Sequence, residues 1–266
     1  MAGQTELLYM TSFAADMFKA GGTQLLDSYR AAGCQEPLLV YYESAGEPIP
    51  DFRGWGDVRV YPLHQDAFLR SWLAANADII PQYLGGKAKP CSCPGWEKMH
   101  SKHKFRCHYQ WMNRNASRWF RKVVSWRHAA RARLASTVVW LDSDCLFVKR
   151  PPVLAINQLF GKASVFYCRG NRAAPETGIV GFRFDREAGA FIEDLAAYYE
   201  TGGFRREERW DDGYVLGRVV VRGDYLCRDL VDCGQQSNNE AIPYTDLARY
   251  LEHRKGLFGR KLRVMR

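Results

Sequence analysis

Two aspartates separated by a single serine follow an apolar run in the stretch WLDSDCLF (Trp140–Phe147). Carboxylates this close raise one another's pKa, and burial raises it further, so a positive partner is expected beside Asp142 and Asp144. Mg²⁺ and Mn²⁺ take carboxylate oxygens as ligands and commonly share them with the phosphates of a substrate. The pair therefore predicts a divalent metal site, with an arginine as a further or alternative partner. A solvated turn at the end of a strand is the other interpretation.

The elements around this pair predict an α/β fold. Short apolar strands alternate with helical patterns, which is typical of a mostly parallel sheet with helices on both faces. In such sheets ligands bind beyond the carboxyl ends of the strands, where Asp142 and Asp144 fall. The predicted strands are Leu7–Met10, Leu38–Tyr42, Val58–Tyr61, Thr137–Leu141, Ala163–Cys168 and Gly178–Phe184, and the main predicted helices are Gln24–Ala32, Asp66–Ala77, Ser117–Arg133, Arg186–Glu200, Asp212–Val221 and Thr245–His253.

Composition and charge narrow the class of protein. The chain has 266 residues, of which 47% are hydrophobic, and this suits one large domain over residues 1–266. No run approaches the roughly 18 apolar residues of a membrane-spanning helix, and the first residues lack the basic-then-apolar order of a signal peptide. We therefore expect a cytoplasmic protein without a membrane span. The net charge of +9 suits an anionic partner such as a nucleotide, a nucleic acid or an acidic glycan.

An irregular segment at about 79–116 interrupts the alternation of strands and helices. It is rich in Pro, Gly, Cys, His and Lys, and a long insert of this kind is usually functional. Its spacing of potential zinc ligands matches no standard zinc pattern, so an acceptor-binding loop is favoured over a structural zinc site. The potential ligands are Cys91, Cys93, His100, His103, Cys107 and His108.

A basic stretch overlaps this insert and continues into the next helix. Eleven Lys and Arg residues lie from Lys98 to Arg133, and no Asp or Glu occurs from Lys98 to Leu141. Tryptophan and phenylalanine are interleaved with them, a pattern that suits a phosphate backbone with stacked bases. The alternative is a basic helix that covers a diphosphate pocket, with its aromatic residues in the core. Both interpretations stay open.

Five motifs in a fixed order resemble GT-A type glycosyltransferases, most nearly the galactosyltransferase and glycogenin-like group. They are LLYMTSF (Leu7–Phe13), WLDSDCLF (Trp140–Phe147), ETGIVGF (Glu176–Phe182), RWDDGYVL (Arg209–Leu216) and HRKG (His253–Gly256). The resemblance runs over most of the chain. It implies a single GT-A, Rossmann-like domain that transfers a sugar from a nucleotide-sugar donor to a hydroxyl acceptor, with Mn²⁺ or Mg²⁺ as cofactor.

The resemblance also implies roles for individual residues. The metal ligands would be Asp142, Asp144 and His253. Either Asp212, which we prefer, or Asp211 would act on the acceptor, while the other caps the following helix. The donor would contact Thr11, Ser12, Glu43, Arg121, Glu176, Thr177, Gly178, Arg260 and Lys261. Arg118 is a rival to Arg121, and Lys122 lies beside it.

The sequence departs from this family at three of these places. Glu176-Thr177-Gly178 replaces the common Asn-x-Gly, and Asp211-Asp212 replaces Asp-Gln-Asp. Gly259 stands where the family usually has a lysine, so Arg260 or Lys261 would pair with the diphosphate.

The acceptor and the reaction leave alternatives. The basic stretch makes a modified base in DNA a candidate acceptor, and a glycan or a lipid-linked acceptor is the alternative. A nucleotidyltransferase would keep the fold, but it should have a Gly-rich phosphate loop near the first strand, and Gly21-Gly22 comes too late. A basic nucleic-acid-binding protein without catalytic activity is the third hypothesis.

Overall fold

The computed structural model describes residues 5–18, 22–44, 46–79, 116–231 and 241–254. The strands in this part of the chain are β1 (Leu7–Ala14), β2 (Leu38–Glu43), β3 (Val58–Pro62), β4 (Thr137–Leu141), β5 (Cys145–Phe147), β6 (Val165–Cys168), β7 (Glu176–Arg183), β8 (Cys227–Asp229) and β9 (Leu251–His253). The α-helices are α1 (Ala15–Met17), α2 (Thr23–Ala31), α3 (Ala67–Ala75), α4 (Ala116–Arg131), α5 (Val153–Phe160), α6 (Arg186–Glu200) and α7 (Asp212–Arg222).

A seven-stranded sheet with the order β3-β2-β1-β4-β7-β6-β8 forms the centre. The pairs β1–β2, β2–β3, β1–β4 and β6–β8 are parallel, whereas β4–β7 and β6–β7 are antiparallel. The predicted α/β fold with a mostly parallel sheet is therefore confirmed. The strands β5 and β9 form a separate antiparallel pair.

Alternating side chains of β1 show how the helices cover both faces of the sheet. Leu8 and Met10 belong to one buried cluster, together with side chains from α3, α4, α6 and α7. Leu7 and Tyr9 belong to a second cluster, with side chains from α2 and α5. Buried on both sides, the strands are hydrophobic along their length, as expected for parallel strands between helical layers.

The direction of β7 brings two predicted motifs together. The parallel strands β1, β2 and β4 end at one edge of the sheet, and β7 begins at that edge because it runs antiparallel to β4. Leu141 pairs with Ile179, and the Asp142 N–H donates to the Gly178 carbonyl at 2.8 Å. The Asp-Ser-Asp turn therefore packs directly against the start of the ETGIVGF motif.

The predicted helix Thr245–His253 is wrong. The structure has short 3₁₀ turns at Ile242–Tyr244 and Asp246–Arg249, followed by the strand β9. The register of β9 places His253 opposite Cys145, just after the Asp-Ser-Asp turn. Pairing with a distant strand thus overrides the local helical spacing.

The strand β1 is longer than predicted, so Thr11 and Ser12 lie within it rather than at its end.

Several other predictions lie outside the described residues or are untested. The potential zinc ligands between Cys91 and His108, together with Arg260 and Lys261, fall outside the described residues. The single domain over 1–266 stays a prediction. No helix in the described part of the chain is both long and apolar enough to cross a membrane.

Candidate active site

Lys122 lies at the centre of a buried charged cluster. Its Nζ is 2.7 Å from Asp142 Oδ1 and 2.5 Å from Asp212 Oδ2. It also donates to the carbonyl and hydroxyl oxygens of Thr177 at 3.1 and 3.2 Å. Burial alone would lower the pKa of Lys122, but the two carboxylates outweigh it and raise the pKa well above its usual value. The two carboxylates thus favour the charged form of Lys122, which lies between the Asp-Ser-Asp turn and the start of α7.

The position of Lys122 on α4 explains why it points at the sheet. It lies one turn before Trp126 and two turns before Ala129, and all three side chains are buried on one side of the helix. Its neighbour Arg121 turns away and pairs with Glu43, with Nη2 at 2.7 Å from Oε1. Arg118 is exposed beside the ring of Trp119.

Asp142 is held in place from two sides. Trp140 donates its indole N–H to Asp142 Oδ1 at 2.8 Å, and Lys122 contacts the same oxygen. These charge-assisted hydrogen bonds fix the orientation of the carboxylate. The Asp142 side chain is 29% exposed, so this carboxylate can still reach a ligand outside the protein.

Asp144, His253 and Glu176 form a second chain of contacts. His253 Nε2 is 3.0 Å from Asp144 Oδ1, and Nδ1 is 2.7 Å from Glu176 Oε1. Burial would lower the pKa of His253, but these two carboxylates outweigh it and raise the pKa to about 9. The Arg254 N–H also donates to the Asp144 carbonyl at 2.9 Å, which holds the end of β9 against the turn.

The residues around Asp144 fit a divalent metal. Ligand atoms of Asp144, Cys145 and His253 lie within 4.8 Å of one another. Histidines that bind metals usually donate their second ring N–H to a carboxylate, and Glu176 takes this position here. Oxygen and imidazole ligands suit Mn²⁺. The buried Cys145 thiol instead donates toward the Gly178 carbonyl at 3.4 Å, so Asp144 and His253 are the better ligands.

The two adjacent aspartates at the start of α7 have different surroundings. Asp211 caps the helix by accepting from Tyr214 N–H at 3.1 Å and pairs with Arg209 at 2.8 Å. Burial raises the pKa of Asp211 despite the opposing effect of Arg209. Asp212 accepts from the Thr177 hydroxyl at 2.7 Å and contacts Lys122. Asp212, not Asp211, therefore belongs to the charged cluster.

The structure thus links six of the predicted site residues and separates others. Lys122 contacts Asp142, Thr177 and Asp212, and His253, itself the sixth, contacts Asp144 and Glu176. Thr11 is fully buried in β1, and Glu43 pairs with Arg121. The contact with the Asp-Ser-Asp turn is made by Lys122, and not by the favoured Arg121 or its rival Arg118.

The described half of the basic stretch is largely neutralised within the protein. Arg127 and Arg131 both pair with Glu193, at 3.0 and 2.6 Å. Phe120 and Trp126 are fully buried in the core. These two aromatic side chains therefore cannot stack on nucleic-acid bases, and this part of α4 matches the interpretation of a helix that covers the site.

Gly178→Ala is expected to destabilise the protein by about 1–3 kcal/mol, as for other additions to tightly packed sites. An added Cβ would lie 2.4 Å from His253 Cε1, and the ring has no free space because both of its nitrogens are engaged. Gly189→Ala is the matched control, because nothing lies within 4 Å of its added Cβ. Chemical unfolding of both variants checks this. Equal free energies of unfolding for Gly178→Ala and Gly189→Ala would show that His253 is not packed against Gly178.

Comparisons with known proteins give matches to solved structures and none by sequence. No protein-family model matches the chain, and no curated protein matches it either. The chain is similar to the crystal structure of mouse xyloside xylosyltransferase 1 in its apo form, with 11% identity and a TM-score of 0.45. The match covers 85% of this chain and 84% of that chain. A likeness this distant carries no argument about the role of this chain or of its residues.

Proposed function

We propose that the chain is a metal-dependent glycosyltransferase that moves a sugar from a nucleotide-sugar donor to a hydroxyl acceptor. One observation carries this proposal. A buried lysine joins the Asp-Ser-Asp turn to Asp212, next to the Asp144–His253 pair, at the edge of the sheet where α/β proteins bind ligands. Buried charges are costly unless paired, and clusters of them with shifted pKa values are typical of functional sites.

The metal would be held by Asp144 and His253, with Asp142 as the third ligand. When bound, it would neutralise charge on the diphosphate that leaves with the nucleotide. Glu176 keeps the His253 ring oriented through Nδ1. Lys122 and Trp140 keep Asp142 oriented in the same way.

Asp212 would orient the acceptor hydroxyl and accept its proton, as a positioned carboxylate does in general base catalysis. It is preferred over Asp211 because it shares Lys122 with the Asp-Ser-Asp turn, whereas Asp211 caps α7 and pairs with Arg209. Thr177 and Lys122 contact Asp212 Oδ2, and the Gly213 N–H donates to Oδ1 at 2.9 Å, so the carboxylate is held in one orientation. Contacts to the donor from Ser12, Arg121, Arg260 and Lys261 remain part of the proposal, whereas the fully buried Thr11 is left out of it.

A thermal-shift screen of nucleotide sugars with and without Mn²⁺ tests the proposed function. At about a hundred times its dissociation constant, a ligand adds about 2.7 kcal/mol of stability. We expect the shift with the correct donor to require Mn²⁺, and slow donor hydrolysis to follow. Failure of all common nucleotide sugars to shift the protein with Mn²⁺ present would contradict the proposal. Release of pyrophosphate from a nucleoside triphosphate would instead favour a nucleotidyltransferase.

The acceptor we propose is a hydroxyl, with a modified base in DNA as one candidate and a glycan or lipid-linked group as the alternative. If DNA binds, its affinity should fall with salt, with a log–log slope of roughly −0.9 per phosphate neutralised. Replacing Lys102, Lys104 and Arg106 together should flatten that slope by up to about three units.

The matched control for this experiment replaces Arg127 and Arg131, which are already paired with Glu193. These two changes should leave the slope nearly unaltered. Filter binding or fluorescence anisotropy over a range of salt concentrations gives the slope. If the unmodified protein does not bind DNA at about 50 mM salt, where such contacts are strong, the acceptor is a glycan or a lipid-linked group.

A further inference from the structure

Glu176 has surroundings that do not fit a contact with the donor sugar. Its side chain is 3% exposed, and both carboxylate oxygens are engaged inside the protein. Oε1 lies 2.7 Å from His253 Nδ1, while Oε2 accepts from Arg172 Nη1 at 2.5 Å and from the Ala241 N–H at 2.9 Å. These contacts all hold parts of the protein to one another.

We propose that Glu176 is a positioning residue for His253 and for the segment Ala241–His253 that carries it. This inference rests on the proposed function in one respect, which is the role of His253 as a metal ligand. It departs from the sequence prediction of Glu176 as a donor contact.

The first part of this role is the orientation of the imidazole. The Glu176 carboxylate can only accept, so His253 donates from Nδ1 and the plane of its ring is fixed toward Glu176. This turns Nε2 to Asp144, where a shared cation would lie. Gly178 permits the arrangement because an added Cβ at this position would lie 2.4 Å from His253 Cε1.

The second part is the attachment of the segment itself. Glu176 contacts both ends of it, Ala241 through its N–H and His253 through its ring. The strand β9 pairs with β5 over only three residues. Two hydrogen bonds to one buried carboxylate therefore add substantially to a short β pairing, since hydrogen bonds to charged groups are stronger than neutral ones.

Arg172 makes a buried carboxylate tolerable at this position. Its guanidinium is 28% exposed and pairs with Glu176 Oε2. The negative charge of Glu176 is thus shared between Arg172 and His253, so neither partner is left with an uncompensated buried charge.

The experiment compares Mn²⁺ binding by Glu176→Gln and Glu176→Ala in the absence of any donor, with electron paramagnetic resonance of free Mn²⁺ as the readout. Losing a group that orients a metal ligand weakens metal affinity by about 10–100-fold. We expect the alanine variant to lie in this range and the glutamine variant to fall between it and the wild type, because glutamine can still accept from Nδ1. Glu252→Gln is the matched control on β9, since that side chain is 48% exposed and pairs with Arg254.

A second measurement does not depend on metal. Amide hydrogen exchange over Ala241–His253 in the metal-free protein should speed up in Glu176→Ala and remain unchanged in Glu252→Gln. Wild-type Mn²⁺ affinity and exchange in both Glu176 variants would overturn the inference. If the wild type itself fails to bind Mn²⁺ while exchange still speeds up in Glu176→Ala, the proposed function fails and the attachment of the segment by Glu176 stands.

Discussion

Lys122→Met is expected to destabilise the protein by about 3–5 kcal/mol, the usual effect of breaking a buried ion pair by removing one partner. The change keeps much of the side-chain volume but leaves the carboxylates of Asp142 and Asp212 facing each other without a cation. Asp212 is affected more, because its side chain is 5% exposed whereas that of Asp142 is 29% exposed. Denaturant unfolding at neutral pH measures the loss.

Arg131→Met on the same helix is the matched control. Arg131 is 59% exposed and pairs with Glu193, and exposed pairs contribute about 0–1 kcal/mol. Combining Lys122→Met with Asp212→Asn should restore part of the stability, since the double variant buries one fewer unpaired charge. A loss below about 1 kcal/mol for Lys122→Met would show that the cluster is not an integral part of the fold.

Asp144→Asn is expected to lower metal-dependent sugar transfer by about two orders of magnitude or more, comparable to the loss of one group that stabilises a transition-state charge. The amide preserves the shape of the side chain but removes its negative charge and replaces one oxygen that could bind the metal with an NH2 group. His253 Nε2, at 3.0 Å, would lose its charged partner at the same time. Steady-state transfer and donor hydrolysis with Mn²⁺ both measure the effect.

Asp246→Asn serves as the control, because its side chain is 73% exposed and lies in the same C-terminal segment. It should transfer sugar at the wild-type rate. The fold of Asp144→Asn should remain intact, since this side chain is partly exposed and loses no volume. Near wild-type turnover of Asp144→Asn with Mn²⁺ present would rule out the metal site as proposed.

Much of this site could be predicted from short segments of sequence. An apolar strand that ends in Asp-Ser-Asp places its carboxylates at the edge of the sheet whatever surrounds it. Because Asp is a favoured helix cap, the sequence predicts that one residue of the Asp211-Asp212 pair caps the helix and that the other faces the site. The structure assigns the cap to Asp211. In these cases the local chain alone sets the geometry.

The remaining features depend on contacts between distant parts of the chain. Arg118, Arg121 and Lys122 are all basic residues on one helix, and only the orientation of α4 on the sheet selects Lys122. The sequence contains one indication that favours Lys122. It stands one turn before Trp126, so it shares the helix face of a large aromatic residue. The helical spacing of Thr245–His253 predicts a helix. In the structure His253 lies on a strand instead, and it pairs with Cys145 on β5. Nothing within that segment indicates a partner so far away.

The long separation between the contacts of the cluster has a consequence for how the protein folds. Lys122 and Thr177 are 55 residues apart, Glu176 and His253 are 77 apart, and Asp144 and His253 are 109 apart. Contacts of this range form slowly, because loop closure must precede any gain from them. An unfolded chain holds the Asp-Ser-Asp turn without these partners. The cation of the proposed metal site would therefore bind the folded chain in preference to the unfolded one, and its addition would raise the free energy of unfolding.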